Sequence, residues 1–261
     1  MTAPDPMSDC AVFVINLDGS TGRMDALAPL LDAADLDWTR LSAVDGRNGP
    51  VPGWERYNEA RTIIRHDRPM RGGEMGCFLS HLKALDAFVA TGKPFAIVLE
   101  DDVIIPPNFK ASAQKVIATL EDYAGDTWET VHLMMDTRGY FRPAVEVPGV
   151  TTIQHSYFIP CGTPAILWSR RGAQNFLASR YAQEISGMVD RELRSYAARA
   201  GHSYHLDPWI CDRHDGDSDI DDGTDRWAGM ANGGRTTLRC KVRRHFPDYL
   251  HATISKALRR K

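Results

Sequence analysis

Short apolar runs alternate along this chain with stretches whose apolar residues recur at helical spacing. Runs of about four to eight apolar residues predict buried strands, and apolar residues three or four positions apart predict amphipathic helices. Strand-like runs lie at residues 12–16, 38–44, 95–99, 130–135, 153–159, 164–168 and 203–206. Helical spacing is found at residues 24–34, 75–88, 109–120, 171–179 and 189–200. This alternation predicts an α/β protein with a mostly parallel central sheet flanked by helices.

The length of the chain fits one large domain with a short tail. At 261 residues and 43% hydrophobic content it can bury a large core. No period of about 20 to 50 residues recurs, so a repeat architecture is not expected. Residues 46–70, rich in Gly, Pro and Arg, are predicted to form an irregular connection. We expect one domain over residues 10–235 and a separate tail over residues 236–261.

Three acidic residues follow the predicted strand at residues 95–99. Glu100, Asp101 and Asp102 would lie at the carboxyl end of that strand, the edge at which open α/β sheets bind ligands. A hard divalent cation with oxygen ligands would relieve the repulsion between adjacent carboxylates and leave coordination positions for phosphate oxygens. An acidic turn after an edge strand is the simpler interpretation of the triplet taken alone.

Four sequence blocks around this triplet resemble glycosyltransferase family 25, the lipopolysaccharide and collagen galactosyltransferase group. They occur in the family's order and are VFVINLDGSTGRM (12–24), GEMGCFLSHLKAL (73–85), FAIVLEDDV (95–103) and GTPAILWSRRGAQNFL (162–177). A weaker similarity is MVDRELR at residues 188–194. The resemblance implies a GT-A-like fold and an inverting, metal-assisted transfer of a hexose. The expected donor is UDP-galactose, the metal Mn²⁺ or Mg²⁺, and the acceptor a lipopolysaccharide or other surface glycan, which can be lipid-linked.

The resemblance also assigns roles to the acidic triplet. Glu100 and Asp102 correspond to the two acids of an Asp-x-Asp motif, and alternate residues of a strand point to the same side. Asp102 is expected to bind the metal directly and to be essential for catalysis. Glu100 would contact the ribose or a metal-bound water as a second member of the metal site, and Asp101 is counted with the nucleotide-sugar contacts.

Two further blocks are expected to hold the nucleotide sugar. The first supplies Asn16, Leu17, Asp18 and Arg23 in the loop after the first strand, where a helix begins. The second supplies Gly76, Ser80 and His81 within a helix otherwise built of Phe, Leu and Met. Turn or cap chemistry is the alternative for Asn16 and Asp18. For His81 the alternative is a core histidine with a satisfied hydrogen bond.

The acceptor side has the weakest sequence signals. Asp190 is the candidate for acceptor binding or proton abstraction, although an Asp in the first turn of a helix also caps it or opposes its dipole. Gly162 and Thr163 match a Gly-Thr pair of the family and are expected to line the acceptor side, although a Gly before a strand is also typical of a turn.

Charge is unevenly distributed near the carboxyl end. Residues 207–225 carry eight aspartates and one arginine, whereas residues 239–261 carry eight basic residues and one aspartate. The aspartate-rich segment lacks the glycine and glutamate of an EF-hand loop, so we expect a solvated loop or a further metal ligand such as His214. The basic tail predicts either an amphipathic segment on an anionic membrane or a frayed terminus. Nucleic-acid binding is disfavoured, because the basic cluster is confined to the tail.

The five cysteines are widely spaced and form no CxxC pair, which argues against a disulfide framework or a zinc site. The first ten residues lack the basic region of a signal peptide, and the apolar run that follows is short. The cysteine pattern and this first segment predict a cytoplasmic protein, which would be peripheral on the membrane if the tail binds lipid. Two other functions stay open. A metal-dependent phosphohydrolase would also use clustered acids, and a non-catalytic protein could bind sugar nucleotides or a membrane surface.

Overall fold

A central sheet with helices on both faces organises the protein in the computed structural model, which describes residues 7–134, 140–159, 161–214 and 238–258. The strands are β1 (Cys10–Asn16), β2 (Trp38–Ser42), β3 (Phe95–Glu100), β4 (Val103–Ile104), β5 (Thr130–His132), β6 (Tyr140–Val147), β7 (Thr151–Phe158), β8 (Ala165–Ser169), β9 (Ser203–Asp207) and β10 (Asp212–Arg213). The helices are α1 (Thr21–Ala33), α2 (Glu59–His66), α3 (Gly72–Thr91), α4 (Phe109–Ala124), α5 (Arg170–Ala178), α6 (Arg180–Gln183), α7 (Val189–Ala200) and α8 (Leu238–Leu258).

Eight strands form the main sheet in the order β2-β1-β3-β8-β5-β9-β7-β6, and β4 and β10 form a small second sheet. β1 lies parallel to both β2 and β3, and β5 lies parallel to β9. β7 and β8 run against their neighbours, so six of the eight strands point one way. The predicted α/β, GT-A-like architecture is confirmed, and the two reversed strands make the sheet mixed.

The two faces of the sheet bury separate cores because alternate residues of a strand point to opposite sides. On β3, Ile97 and Leu99 join the core beneath α1 and α4, whereas Ala96 and Val98 join the core beneath α3, α5 and α7. All four residues are fully buried. Burial on both faces explains why this strand has a continuous apolar sequence rather than an alternating one.

Residues 43–47, which follow β2, cross the first turns of α3 in direct backbone contact. A Cβ atom added at Gly76 would lie 2.3 Å from the Val44 carbonyl oxygen, and one added at Gly72 would lie 2.1 Å from the Gly46 carbonyl oxygen. Real Cβ atoms do not approach so closely, so glycine is required on both sides of this contact. The segment 43–47 is thereby fixed against the helix. We call this contact the glycine seam.

Several elements of the fold differ from the sequence-based expectation, among them the short β4, β10 and α6 and two longer elements. The connection at residues 46–70 was predicted to be irregular, but it contains α2, which buries Thr62 and His66 and exposes Ile63 and Ile64, so its apolar residues do not mark the buried face. The edge strand β6 was not predicted, since Arg142, Pro143 and Glu146 interrupt any apolar run.

The tail forms α8 and packs on α2, α7 and β7. Asp248 is buried and accepts hydrogen bonds from Ser195 and Arg199, both at 2.7 Å. Tyr249 stacks on Phe158 with ring centroids 4.4 Å apart. Residues 238–258 therefore form a docked helix rather than a frayed terminus, although the side chains of 238–245 and 258 are not described. Within the described ranges, no helix has the length and apolarity needed to cross a bilayer.

Candidate functional site

A cleft opens at the sheet edge where β1 and β3 end side by side. The parallel register places Ile15 beside Glu100, so the residues that follow each strand meet across the gap. The segment 43–47 and the first half of α3 close the cleft from the other side. The predicted site residues that line it are Asn16, Leu17, Arg23, Ser80, His81, Glu100, Asp101 and Asp102.

Two side chains hold the carboxylate of Glu100. Its Oε1 lies 3.0 Å from His81 Nε2 and accepts a hydrogen bond from the Thr163 hydroxyl at 2.6 Å. Burial would raise the Glu100 pKa, but the hydrogen bond and charge of His81 and the hydrogen bond from Thr163 outweigh it and hold the pKa below its usual value. Glu100 is therefore ionised and held in one orientation.

Asp101 lines the same cleft as Glu100 and Asp102 but has a different set of hydrogen-bond partners. Its two carboxylate oxygens accept hydrogen bonds from Asn16 at 2.7 Å and from Arg23 at 2.8 Å. Asn16 also donates to the Ser20 carbonyl and accepts from Arg40. This network ties the ends of β1 and β3 to the start of α1. Asn16, Arg23 and Asp101 thus fix the shape of one cleft wall.

Asp102 has a carboxylate oxygen that no described group satisfies. Its Oδ1 is buried without a hydrogen-bond partner among the described residues. Burial, together with the negative charges of Glu100 and Asp101, raises the Asp102 pKa to about 6. A carboxylate in this state favours a cation at the orphaned oxygen, since a cation removes both the desolvation cost and the repulsion.

Ser80 and Gly76 position the cleft wall from within α3. The Ser80 hydroxyl is buried, accepts from the Val44 N–H at 2.8 Å and donates to the Gly76 carbonyl at 2.7 Å. Gly76 belongs to the glycine seam and adds no side chain. Both residues therefore support the segment 43–47 through contacts already made in the protein, and donor contact by Ser80 and Gly76 stays a prediction.

Asp18 lies apart from the other predicted donor residues. It is exposed, outside the cleft lining, and paired with Arg40 and Ser42 of β2 at 2.7 and 2.8 Å. These hydrogen bonds, that of Arg40 foremost, lower the Asp18 pKa. A direct donor contact by Asp18 stays a prediction.

The reversed strand β8 brings the predicted acceptor residues to the same sheet edge. β8 starts opposite Leu99, so the residues that precede it reach the end of β3. There Thr163 binds Glu100, and the Glu100 N–H donates to the Pro164 carbonyl at 2.8 Å. Gly162 adopts a positive φ of 115°, which favours glycine and allows this turn.

Asp190 lies in the first turn of α7 and is half-buried. Burial and, second, the negative charge of Asp190 raise the Cys161 pKa to about 12. Burial also raises the Cys77 pKa, and the charges of Glu100 and Asp190 add to that effect. Asp190 is therefore within electrostatic range of the cleft. Its role as the base stays a prediction.

Sequence analysis missed Cys77, which lines the cleft one helical turn before His81. The i, i+4 spacing of a thiol and an imidazole on one helix face was the available signal. Asp45 and Arg47, also in the cleft lining, form an ion pair at 2.7 Å. No apolar pattern marks them, because they lie in a loop.

The structure describes only the first part of the aspartate-rich segment at residues 207–225. Asp212 and Arg213 form β10, paired with β4, and the His214 N–H donates to the Asp102 carbonyl at 2.9 Å. This strand pairing keeps residue 214 beside the acidic triplet. Residues 215–222, and with them the expected loop or metal ligands there, lie outside the described residues.

Comparison with known proteins points to one family. A family profile described as "Glycosyltransferase family 25 (LPS biosynthesis protein)" matches residues 10–181. Procollagen galactosyltransferase 1-B of Xenopus laevis is 31% identical over 182 residues, covering 67% of this chain and 29% of that protein. A glycosyltransferase 25 family member of Anopheles gambiae is 30% identical over 134 residues, 49% of this chain and 22% of that protein. A probable inactive glycosyltransferase 25 family member 3 of Rattus norvegicus is 29% identical over 195 residues, covering 68% and 31%. The chain spans less than a third of the length of these relatives.

Proposed function

The chain belongs to glycosyltransferase family 25, and from this membership we propose that it transfers a hexose from a nucleotide sugar to a glycan. The proposed donor is UDP-galactose, in keeping with the galactosyltransferase names of the relatives. The proposed acceptor is a lipopolysaccharide or other surface glycan, in keeping with the family description. The proposed transfer inverts the anomeric carbon.

The observation that carries this proposal is the buried Oδ1 of Asp102, which has no hydrogen-bond partner among the described residues and lies beside an ionised Glu100. Oxygen ligands of this kind suit Mn²⁺ or Mg²⁺, so Asp102 would hold such a cation, with Glu100 as the second acid beside it. When bound, the cation would neutralise charge on the leaving pyrophosphate.

The remaining roles fall to the chain's own residues. Arg23, already paired with Asp101, would hold the donor against the wall built by Asn16 and Leu17. Thr163 would keep Glu100 oriented while the acceptor enters from the β8 side. Asp190 would take the proton of the acceptor hydroxyl as that oxygen attacks the anomeric carbon opposite the leaving group.

We also propose that the protein works at the cytoplasmic face of a membrane that presents a lipid-linked acceptor. Six of the eight exposed large hydrophobic residues of the described structure lie on the contacting helices α2 and α8. They are Ile63, Ile64, Phe246, Tyr249, Leu250 and Ile254. The segment 239–261 carries eight basic residues, each worth about 1 kcal/mol near an anionic surface. Apolar and basic residues together suit an anionic bilayer.

A thermal-shift screen with Mn²⁺ tests the proposed function, because a ligand that binds the native state raises its apparent stability. UDP-galactose is expected to raise the melting temperature only when Mn²⁺ is present, and sugar transfer to a glycan acceptor should follow. Hydrolysis of simple phosphate esters without sugar transfer would favour a phosphohydrolase. Binding without any turnover would favour a non-catalytic sugar-nucleotide protein, and one relative is named as probably inactive.

A further inference from the structure

Three different donor atoms converge on one side of the cleft. Cys77 and His81 lie one turn apart on α3, and Glu100 faces them from the end of β3. The Cys77 sulfur, one His81 ring nitrogen and one Glu100 oxygen all lie within 4.8 Å of one another. All three residues line the cleft, so the group can be reached from solvent.

This set of atoms differs from the one proposed for the catalytic cation. Mn²⁺ and Mg²⁺ prefer oxygen ligands, whereas zinc is bound by thiolate, imidazole and carboxylate together. Three protein ligands with one open position is the arrangement of accessible zinc sites, with ligand distances of about 2.0 to 2.3 Å. Small side-chain shifts reach such distances, since His81 Nε2 and Glu100 Oε1 are already 3.0 Å apart.

The electrostatic field at Cys77 also favours a cation. Burial, followed by the negative charges of Glu100 and Asp190, raises the Cys77 pKa well above its usual value. The negative charges of Glu100 and Asp190 attract a divalent cation to this side of the cleft.

We propose that Cys77, His81 and Glu100 bind a thiophilic divalent cation of the zinc class, and that this cation blocks the donor cleft. On binding, the Cys77 S–H bond breaks, a sulfur–metal bond forms and the proton leaves to solvent. The His81 Nε2–H bond also breaks, its proton passing to Nδ1 of a neutral ring or to solvent from a charged one. The freed Nε2 lone pair then binds the metal in place of the hydrogen bond to Glu100. No electron is transferred. The inhibitory consequence rests on the proposed function, whereas the site itself does not.

Titration of the metal-free protein with Co²⁺ under anaerobic conditions tests the site directly. A thiolate bound to Co²⁺ gives a near-ultraviolet charge-transfer band, and added Zn²⁺ should remove the band by displacement. Cys77→Ser should lose it, whereas Cys161→Ser, which changes the other half-buried thiol, should keep it. Absence of the band in the unaltered protein, or its survival in Cys77→Ser, would overturn the proposal.

Two further measurements separate this site from the catalytic one. Asp102→Asn should keep the Co²⁺ band, because its carboxylate is not among the three ligands. Zn²⁺ should lower Mn²⁺-dependent UDP-galactose binding at least tenfold in the unaltered protein and much less in Cys77→Ser. Equal inhibition of both proteins would refute the blocking role. If the band appears but no sugar transfer is ever found, the metal site stands and the proposed function fails.

Discussion

Glu100 and Asp102 lie two residues apart at the end of β3, yet their carboxyl groups have pKa values shifted in opposite directions. Glu100 is held by His81 and Thr163 and has a lowered pKa, whereas Asp102 has a buried oxygen without a partner among the described residues and a pKa of about 6. The pair therefore combines a fixed negative charge with a carboxylate that gains from binding a cation.

Asp102→Asn should abolish Mn²⁺-dependent donor binding and transfer while stabilising the protein. The pKa of Asp102 is raised from 3.8 to about 6 in the folded protein, so the free energy of unfolding falls as the pH rises from about 4 to about 6. The amide removes that cost, so the free energy of unfolding at pH 7 should rise by about 1 to 3 kcal/mol. Chemical denaturation and calorimetric titration measure the two effects. Asp122→Asn, on an exposed position of α4, should change neither, and near-normal turnover of Asp102→Asn would refute the metal assignment.

Donor binding should strengthen as the pH rises through about 6. Below that value Asp102 is protonated and cannot bind the cation, whereas Glu100, with its lowered pKa, stays ionised. The affinity for UDP-galactose with Mn²⁺, measured between pH 5 and 8, should fall about tenfold for each pH unit below the Asp102 pKa of about 6. A flat profile would exclude Asp102 as the titrating ligand.

His81→Ala should lower activity chiefly at acidic pH. Without the imidazole, Glu100 keeps the Thr163 hydrogen bond but loses that of His81, so its pKa should rise. The loss of kcat/KM caused by Glu100 protonation, which lies at a lower pH than the one set by Asp102, should then move to higher pH. His81→Gln, which retains an N–H donor, should restore part of the shift. A large fall in melting temperature with an unchanged pH profile would instead show that His81 is a core residue.

Gly76→Ala should destabilise the protein by about 1 to 3 kcal/mol, because the added methyl group would press on the Val44 carbonyl. It should also weaken donor binding, since the segment 43–47 lines the cleft. Gly22→Ala in α1 is the matched control, as an added Cβ there meets nothing within 4 Å. Helix propensity predicts a gain of up to about 1 kcal/mol for that control. Equal stability of the two variants would refute the close packing.

The double variant Leu250→Asp with Ile254→Asp should abolish co-sedimentation with anionic vesicles at low salt without lowering the melting temperature, since both side chains are about half exposed. Transfer to a soluble acceptor should be kept. Ala252→Asp, on the buried face of the same helix, should instead lower the melting temperature by burying a charge. Vesicle binding that survives the double variant would rule out this surface.

The sequence predicts the buried elements well and the contacts between them poorly. β3 and α3 are visible because burial makes their apolar patterns continuous or periodic. α2 and β6 are not, because partly exposed elements carry mixed residues. The acidic triplet is recognisable in the sequence as a candidate site, and its role stays a prediction. The hydrogen bond between Asn16 and Asp101 joins residues 85 positions apart and depends on strand register, so the sequence does not predict it. Cys77 belongs to no CxxC pair, so no cysteine motif in the sequence marks it as part of the cleft.

The glycine seam has a practical meaning for protein engineering. Gly46, Gly72 and Gly76 leave no room for a side chain, so a library built across residues 43–47 must hold these three positions constant. Asp45 and Arg47 flank Gly46, line the cleft and form an ion pair on a partly exposed surface. Changes in donor preference are therefore best sought by diversifying these two positions on an unaltered backbone.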